Sequence, residues 1–134
     1  MRLTMSETVP IREEPDLLLV RQIVRQCAQD LGFSKLEQTK AVTAASELGR
    51  NTLIHGGGGK MRLEAFEDSA RRGLRLTFED HGPGIADVDQ AMADGYTTGR
   101  SLGLGLGGSK RLADEFDLVS SVGMGTCVTV ALWT

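Results

Sequence analysis

Three short stretches of this 134-residue chain gather side chains able to handle a phosphorylated ligand. Glu47 and Asn51 stand four residues apart in a segment with helical spacing, so they project from one face, one turn from each other. A carboxamide oxygen can complete the octahedral shell of a Mg²⁺ otherwise held by water and phosphate oxygens. A carboxylate one turn earlier can orient a hydroxyl or a water and accept its proton. Such a pair also occurs as a plain polar stripe on a helix, so both readings stay open at this point.

The second stretch, Asp80-His81-Gly82-Pro83-Gly84, directly follows an apolar run that ends at Phe78. Gly82 and Gly84 let the backbone turn sharply and approach a ligand, while the Asp80 carboxylate can accept a hydrogen bond from an exocyclic amine such as adenine N6. An ordinary turn is the alternative, since Asp, Gly and Pro are the usual turn residues. The third stretch runs from Gly95 to Lys110 and carries Gly99, Gly103, Gly105, Gly107 and Gly108. Glycines at this density before a helix expose amides and the positive helix end, a combination suited to phosphate. Such stretches also serve as lids over a ligand. Arg100 and Lys110 are near enough to add positive charge, although Lys110 suits a solvated helix face equally well. A purely structural glycine loop is the other reading.

Two familiar phosphate motifs do not apply. Gly103-x-Gly105-x-x-Gly108 has the dinucleotide spacing, but polar residues precede it where that motif needs a buried strand. The P-loop needs Gly-Lys-Ser/Thr, and this chain has Gly-Gly-Ser-Lys.

The elements that must position these residues follow from periodicity. Val9 and Ile11 suit a short first strand, broken by Glu13-Glu14-Pro15-Asp16, which supplies an acidic helix start. From Leu17 to Leu31 the apolar residues recur at helical spacing, with Gly32 as the stop. Ser34-Lys35-Leu36-Glu37 matches the capping box of a second helix, which should run to about His55 and end at Gly56 to Gly59. Alternation at Met61, Leu63, Ala65 and at Leu74, Leu76, Phe78 predicts a hairpin. A short helix is expected over 88–94 and another over about Leu106 to Phe116. A closing hairpin should join 118–122 to 127–132 around Gly123-Met124-Gly125. This order predicts a mixed sheet with helices packed on one face.

Composition narrows the classes. A chain this long has room for one domain, which buries roughly two-thirds of the surface its unfolded form exposes. Seventeen glycines exceed the usual share of about 7%. Fifteen basic against eighteen acidic residues, a formal charge of −3 and few aromatics make nucleic acid a poor partner. Cys27 and Cys127 have no metal-type spacing and are expected as reduced core thiols in a cytoplasmic protein. No signal-peptide run or membrane-length apolar stretch is present, so no membrane role is expected.

Taken together, the stretches resemble the ATP-binding domain shared by gyrase, ATP-dependent heat-shock chaperones, histidine kinases and MutL. Glu47 to Asn51 resembles its N box, Asp80 to Gly84 its first glycine box, Gly103 to Gly107 its second, and Gly123 to Thr126 its last box, whose threonine usually supports the adenine-binding aspartate. The resemblance covers nearly the whole chain and implies an α+β, two-layer Bergerat-type fold with a mixed, mostly antiparallel sheet, in one domain over residues 1–134. More narrowly, Ser46 to Asn51, Glu79 to Gly84 and Lys110 to Phe116 are similar to the RsbT-type switch kinases of bacterial stress signalling.

That resemblance implies a serine/threonine kinase using Mg²⁺ and ATP. It implies a small STAS-domain antagonist as substrate, and a PP2C-type phosphatase bound and activated once the kinase is released. By the same resemblance Asn51 holds Mg²⁺, Glu47 takes the proton of the attacking hydroxyl, and Asp80 selects adenine beside Gly82, Gly84 and Thr126. The segment Gly103, Leu104, Gly105, Leu106 and Gly107, with Arg100 or Lys110, contacts phosphate. An anti-sigma factor kinase, and a non-catalytic module that binds ATP only to dock a phosphatase, are the rival readings.

Overall fold

We describe residues 1–92 and 105–134 of a computed structural model. The first helix, α1 (Glu14–Asp30), begins after strand β1 (Arg2–Ile11) because Asp16 Oδ2 accepts the amides of Arg12 and Glu13, at 2.8 and 3.1 Å. Pro15 in the first turn loses nothing there, its missing amide being one that would have no helical partner. The second helix, α2 (Lys35–Ile54), starts on the expected capping box: Ser34 Oγ accepts Glu37 N at 3.1 Å, and Glu37 Oε1 accepts Ser34 N at 2.7 Å. His55 closes it, donating its amide to the Asn51 carbonyl.

Strands β2 (Gly59–Glu67) and β3 (Arg72–Asp80) form the predicted hairpin, in register from Gly59 opposite Asp80 to Glu67 opposite Arg72. A short helix α3 (Val88–Ala91) follows, with Asp87 Oδ1 capping Gln90 N at 3.0 Å. Its expected extension to Asp94 lies outside the described residues. After α4 (Gly105–Leu112) come β4 (Glu115–Ser121) and β5 (Gly125–Trp133), which pair across the turn at Gly123. The strand order is β1-β2-β3-β5-β4. All four pairings are antiparallel, where a mixed sheet was expected. The difference arises because the second arm of the closing hairpin, rather than the first, pairs with β3.

Four further expectations are corrected. The first strand spans ten residues instead of a short stretch around Val9 and Ile11. Only its last part is buried, and a register shift between Leu3 and Met5 breaks the alternation that would have revealed the rest. The last helix stops at Leu112, and Phe116 belongs to β4. Asp114 ends that helix segment by donating its amide to the Ala131 carbonyl and accepting Trp133 N on Oδ2 at 2.7 Å. Asp80 is the last residue of β3, two residues beyond the apolar run. Cys127 is half-buried on the sheet face that carries no helix, so only Cys27 is a core thiol. Burial and nearby Asp30 push the Cys27 thiol up to about 11.

The core forms where α1 and α2 cover one sheet face: Val20 and Val24 of α1 and Leu48 of α2 lie against Leu63, Leu76 and Phe78, all at 1% exposure or less. Burying each such side chain stabilises the fold by roughly 1.5 to 3 kcal/mol. Gly49 lets the two helices approach, since a Cβ there would stand 3.2 Å from Leu17 Cδ2. This packing fixes the face of α2 that bears Asn51 against the end of β3 that bears Asp80.

Candidate functional site

A cavity of about 420 Å³ opens between α2, the end of β3, the segment 83–87, α3, the start of α4 and β5. Its apolar wall includes Leu48, Phe78, Ile85, Leu106 and Val128. Asn51, Asp80 and Thr126 are among its polar members. This combination, apolar walls with a few placed polar groups, is what a small-molecule site requires, and the volume lies within the usual range of about 300 to 1,000 Å³.

Asp80 is the best-defined of these groups. It is 8% exposed, and its Oδ1 accepts two backbone amides, Gly82 N at 2.9 Å and Thr126 N at 3.2 Å. Two amides on one oxygen lock the carboxylate plane. Among the described residues Oδ2 accepts no hydrogen bond, which leaves it as an acceptor for a ligand.

Backbone contacts of unusual closeness build the rest. A Cβ on Gly84 would fall 2.1 Å from the Ser121 carbonyl oxygen, and the φ of +77° there is costly for any other residue. A Cβ on Gly56 would fall 2.3 Å from Asp80 Cγ. Gly56→Ala is therefore expected to cost about 1 to 3 kcal/mol in overpacking, and to displace the carboxylate. Urea unfolding and nucleotide calorimetry on the variant measure the two effects separately.

The structure unites some of the anticipated residues and separates others. Asn51, Asp80, Gly84, Leu106 and Thr126 all line the cavity. Gly82 lies beside it, packed on Gly56 and donating to Asp80. Glu47 is 2% exposed, one turn before Asn51, and does not line the cavity. Gly107 is buried within α4, which begins at Gly105, and Lys110 is exposed and does not line the cavity. Arg100, Gly103 and Leu104, with the expected lid from Gly95, lie outside the described residues.

Sequence reasoning missed Gly56, taken as a helix terminator, and His55, taken as a helix-end side chain. Both line the cavity. It also missed Thr52, Ile85 and Gln90, whose residue types carry no signal for binding. Among the described residues, no helix is long and apolar enough to cross a membrane.

The profile of the family described as "Histidine kinase-like ATPase domain" matches residues 10–132, and the chain belongs to that family. Within it the chain groups with the RsbT-type serine/threonine kinases: it is 42% identical over 125 residues to the serine/threonine-protein kinase RsbT of Bacillus subtilis, covering 93% of this chain and 94% of that one. It is also 35% identical over 94 residues to an anti-sigma F factor of Clostridium kluyveri, covering 67% of this chain and 66% of that one. The fold resembles the solved RsbU and RsbW domains of Rv1364c from Mycobacterium tuberculosis, with a TM-score of 0.66 at 18% identity. That match covers 96% of this chain and 32% of the longer one.

Proposed function

We propose that this chain folds as a single ATPase-type domain over residues 1–134 and transfers the γ-phosphate of ATP to a serine or threonine of a small STAS-domain antagonist. On this reading it works in the cytoplasm, in partner-switching stress signalling, and binds and activates a PP2C-type phosphatase when released. The observation that carries the nucleotide reading is Asp80, which lines a largely apolar cavity with one oxygen locked by two amides. An acceptor held in that way suits the exocyclic amine of adenine, with Leu48, Phe78, Ile85 and Val128 available to pack the ring.

Each residue then has one task. Asp80 accepts from the base, supported by Gly82, Gly84 and Thr126. Asn51 offers its carboxamide oxygen to Mg²⁺, an ion that usually binds through one or two protein groups plus phosphates and water. When bound, that ion neutralises charge on the phosphate oxygens. Gly105, Leu106 and Gly107 at the start of α4 present amides at the positive end of a helix, joined by Gly103, Leu104 and Arg100. Glu47 receives the proton of the attacking hydroxyl.

Incubation with labelled ATP and STAS proteins from the same genome tests the whole proposal; label on a serine or threonine is the expected result, and its absence with every partner would overturn the substrate assignment. Asn51→Ala is expected to lower Mg·ATP affinity at least tenfold while metal-free ATP binding, measured in chelator, stays unchanged. Equal losses with and without metal would remove the Mg²⁺ role.

The relatedness to an anti-sigma F factor favours one second reading, a kinase that also sequesters a sigma factor. A pull-down against a sigma factor and a STAS protein in parallel separates the two. Glu47 argues against a docking module that binds ATP without chemistry, because such a module has no use for a carboxylate beside its metal ligand.

A further inference from the structure

We infer that Ser120 is a positioning residue of the nucleotide site, holding the cavity wall at Ile85 and the Thr126 hydroxyl in register with Asp80; this rests on the ATP-binding reading above. Ser120 lies on β4, half-buried, and does not line the cavity. Its hydroxyl nevertheless meets three groups of that region. Ile85 N donates to Ser120 Oγ at 2.8 Å, Thr126 Oγ1 lies 2.9 Å away, and the Gly125 carbonyl oxygen lies 3.2 Å away.

A hydroxyl has one proton and two lone pairs, which limits how these contacts are made. The Gly125 carbonyl can only accept, and the Ile85 amide can only donate. If Ser120 gives its proton to Gly125, then Thr126 donates to Ser120 and keeps its own lone pairs as acceptors. If Ser120 gives its proton to Thr126, the Thr126 hydrogen is available to another acceptor instead. In both arrangements Ser120 sets whether Thr126, a cavity residue, acts as donor or acceptor.

The same oxygen ties two parts of the site that sequence separates. Ile85 belongs to the wall that follows β3, and Gly84 of that wall packs on the Ser121 carbonyl. Thr126 belongs to β5, and its amide is one of the two that lock Asp80 Oδ1. Removing the Ser120 oxygen leaves the part-buried Ile85 amide without its acceptor and frees the Thr126 side chain. Base recognition loosens, while the groups proposed for transfer, on α2, are untouched. The effect is therefore expected on binding and on base choice, with little on turnover.

The test compares Ser120→Ala and Ser120→Thr, which retains the hydroxyl, with Asp80→Asn as the control for the site. ATP and GTP affinities come from calorimetry, and KM and kcat from the transfer assay. Ser120→Ala should raise the ATP Kd and KM about tenfold, in keeping with the loss of a buried hydrogen-bond partner. Its kcat should stay within about twofold, and its preference for ATP over GTP should fall. Ser120→Thr should retain most of the affinity and the preference. An unchanged Kd and base preference in the alanine variant, or equal damage from both substitutions, overturns the assignment. Should Ser120→Ala fail to fold, Ser120→Cys, close in size with a weaker acceptor, is judged by the same two criteria. If the unaltered chain takes up no ATP, the nucleotide reading itself fails; if Asp80→Asn binds ATP as well as the unaltered chain, the base-binding role of Asp80 fails and the Ser120 inference with it. If Asp80→Asn loses binding while Ser120→Ala does not, only the Ser120 inference fails.

Discussion

Replacing Asp80 by Asn is expected to weaken ATP binding about a hundredfold, the upper part of what a hydrogen bond to a charged group supplies. The geometry explains why a nearly isosteric change should matter so much. Gly82 N and Thr126 N both donate to Oδ1, so that position must remain an oxygen. The amide nitrogen of the variant is then forced to the Oδ2 position, where it presents hydrogens to a ligand amine that also presents hydrogens. Flipping the carboxamide only moves the conflict to the two backbone amides. Calorimetry with ATP, with and without Mg²⁺, should show the loss in both conditions, because the effect lies at the base and not at the metal. An affinity within about threefold of the unaltered chain would separate Asp80 from the nucleotide. Thermal unfolding of the ligand-free variant is the companion measurement, since a carboxylate exposed at only 8% and holding two amides also supports the local fold.

Much of this site was legible because its parts depend on local chemistry. The Ser34 capping box fixes where α2 begins, and once the start is known the helical repeat places Glu47 and Asn51 one turn apart. The alternation at Leu74, Leu76 and Phe78 fixes which face of β3 is buried, and Asp80 continues that face, which sends its side chain to the cavity. What remained hidden depends on contacts between distant segments. Gly56 looks like a helix terminator in sequence. Its role against Asp80 exists because β2 pairs with β3 and sets Gly59 opposite Asp80, bringing together residues 24 positions apart. Ser120 is one of several serines, and only the close pairing of β4 with β5 places it beside Thr126. Phe116 misled in another way. Residues 110–116 have a spacing compatible with a helix, but Asp114 pairs with β5 and draws the chain into the sheet. Lys110, by contrast, was ambiguous on charge alone, and an exposed lysine suits a phosphate contact and a solvated face equally well.

The division of labour along α2 leads to the second large effect. Glu47 and Asn51 share a face, yet the cavity takes Asn51 and leaves Glu47 buried one turn back. A residue placed in this way should contribute little to nucleotide affinity. If it is the base, its contribution belongs to the transfer step, where a positioned general base supplies roughly 10² to 10⁴ in rate. Glu47→Gln keeps the size and the buried packing while removing the proton acceptor, so it isolates that contribution better than truncation does. The expected result is a transfer rate lowered by about two to four orders of magnitude, with the ATP Kd within about threefold and α2 intact by circular dichroism. Glu47→Ala should lose transfer to the same degree, and additionally lose stability because it empties a buried position. Full transfer activity in Glu47→Gln would refute the base assignment and leave the carboxylate as a structural group of the helix. A loss of binding equal to the loss of transfer would instead move Glu47 into the group that holds the nucleotide. Single-turnover measurement at saturating ATP distinguishes these outcomes, because saturation removes any contribution from affinity and leaves the proton-transfer step exposed.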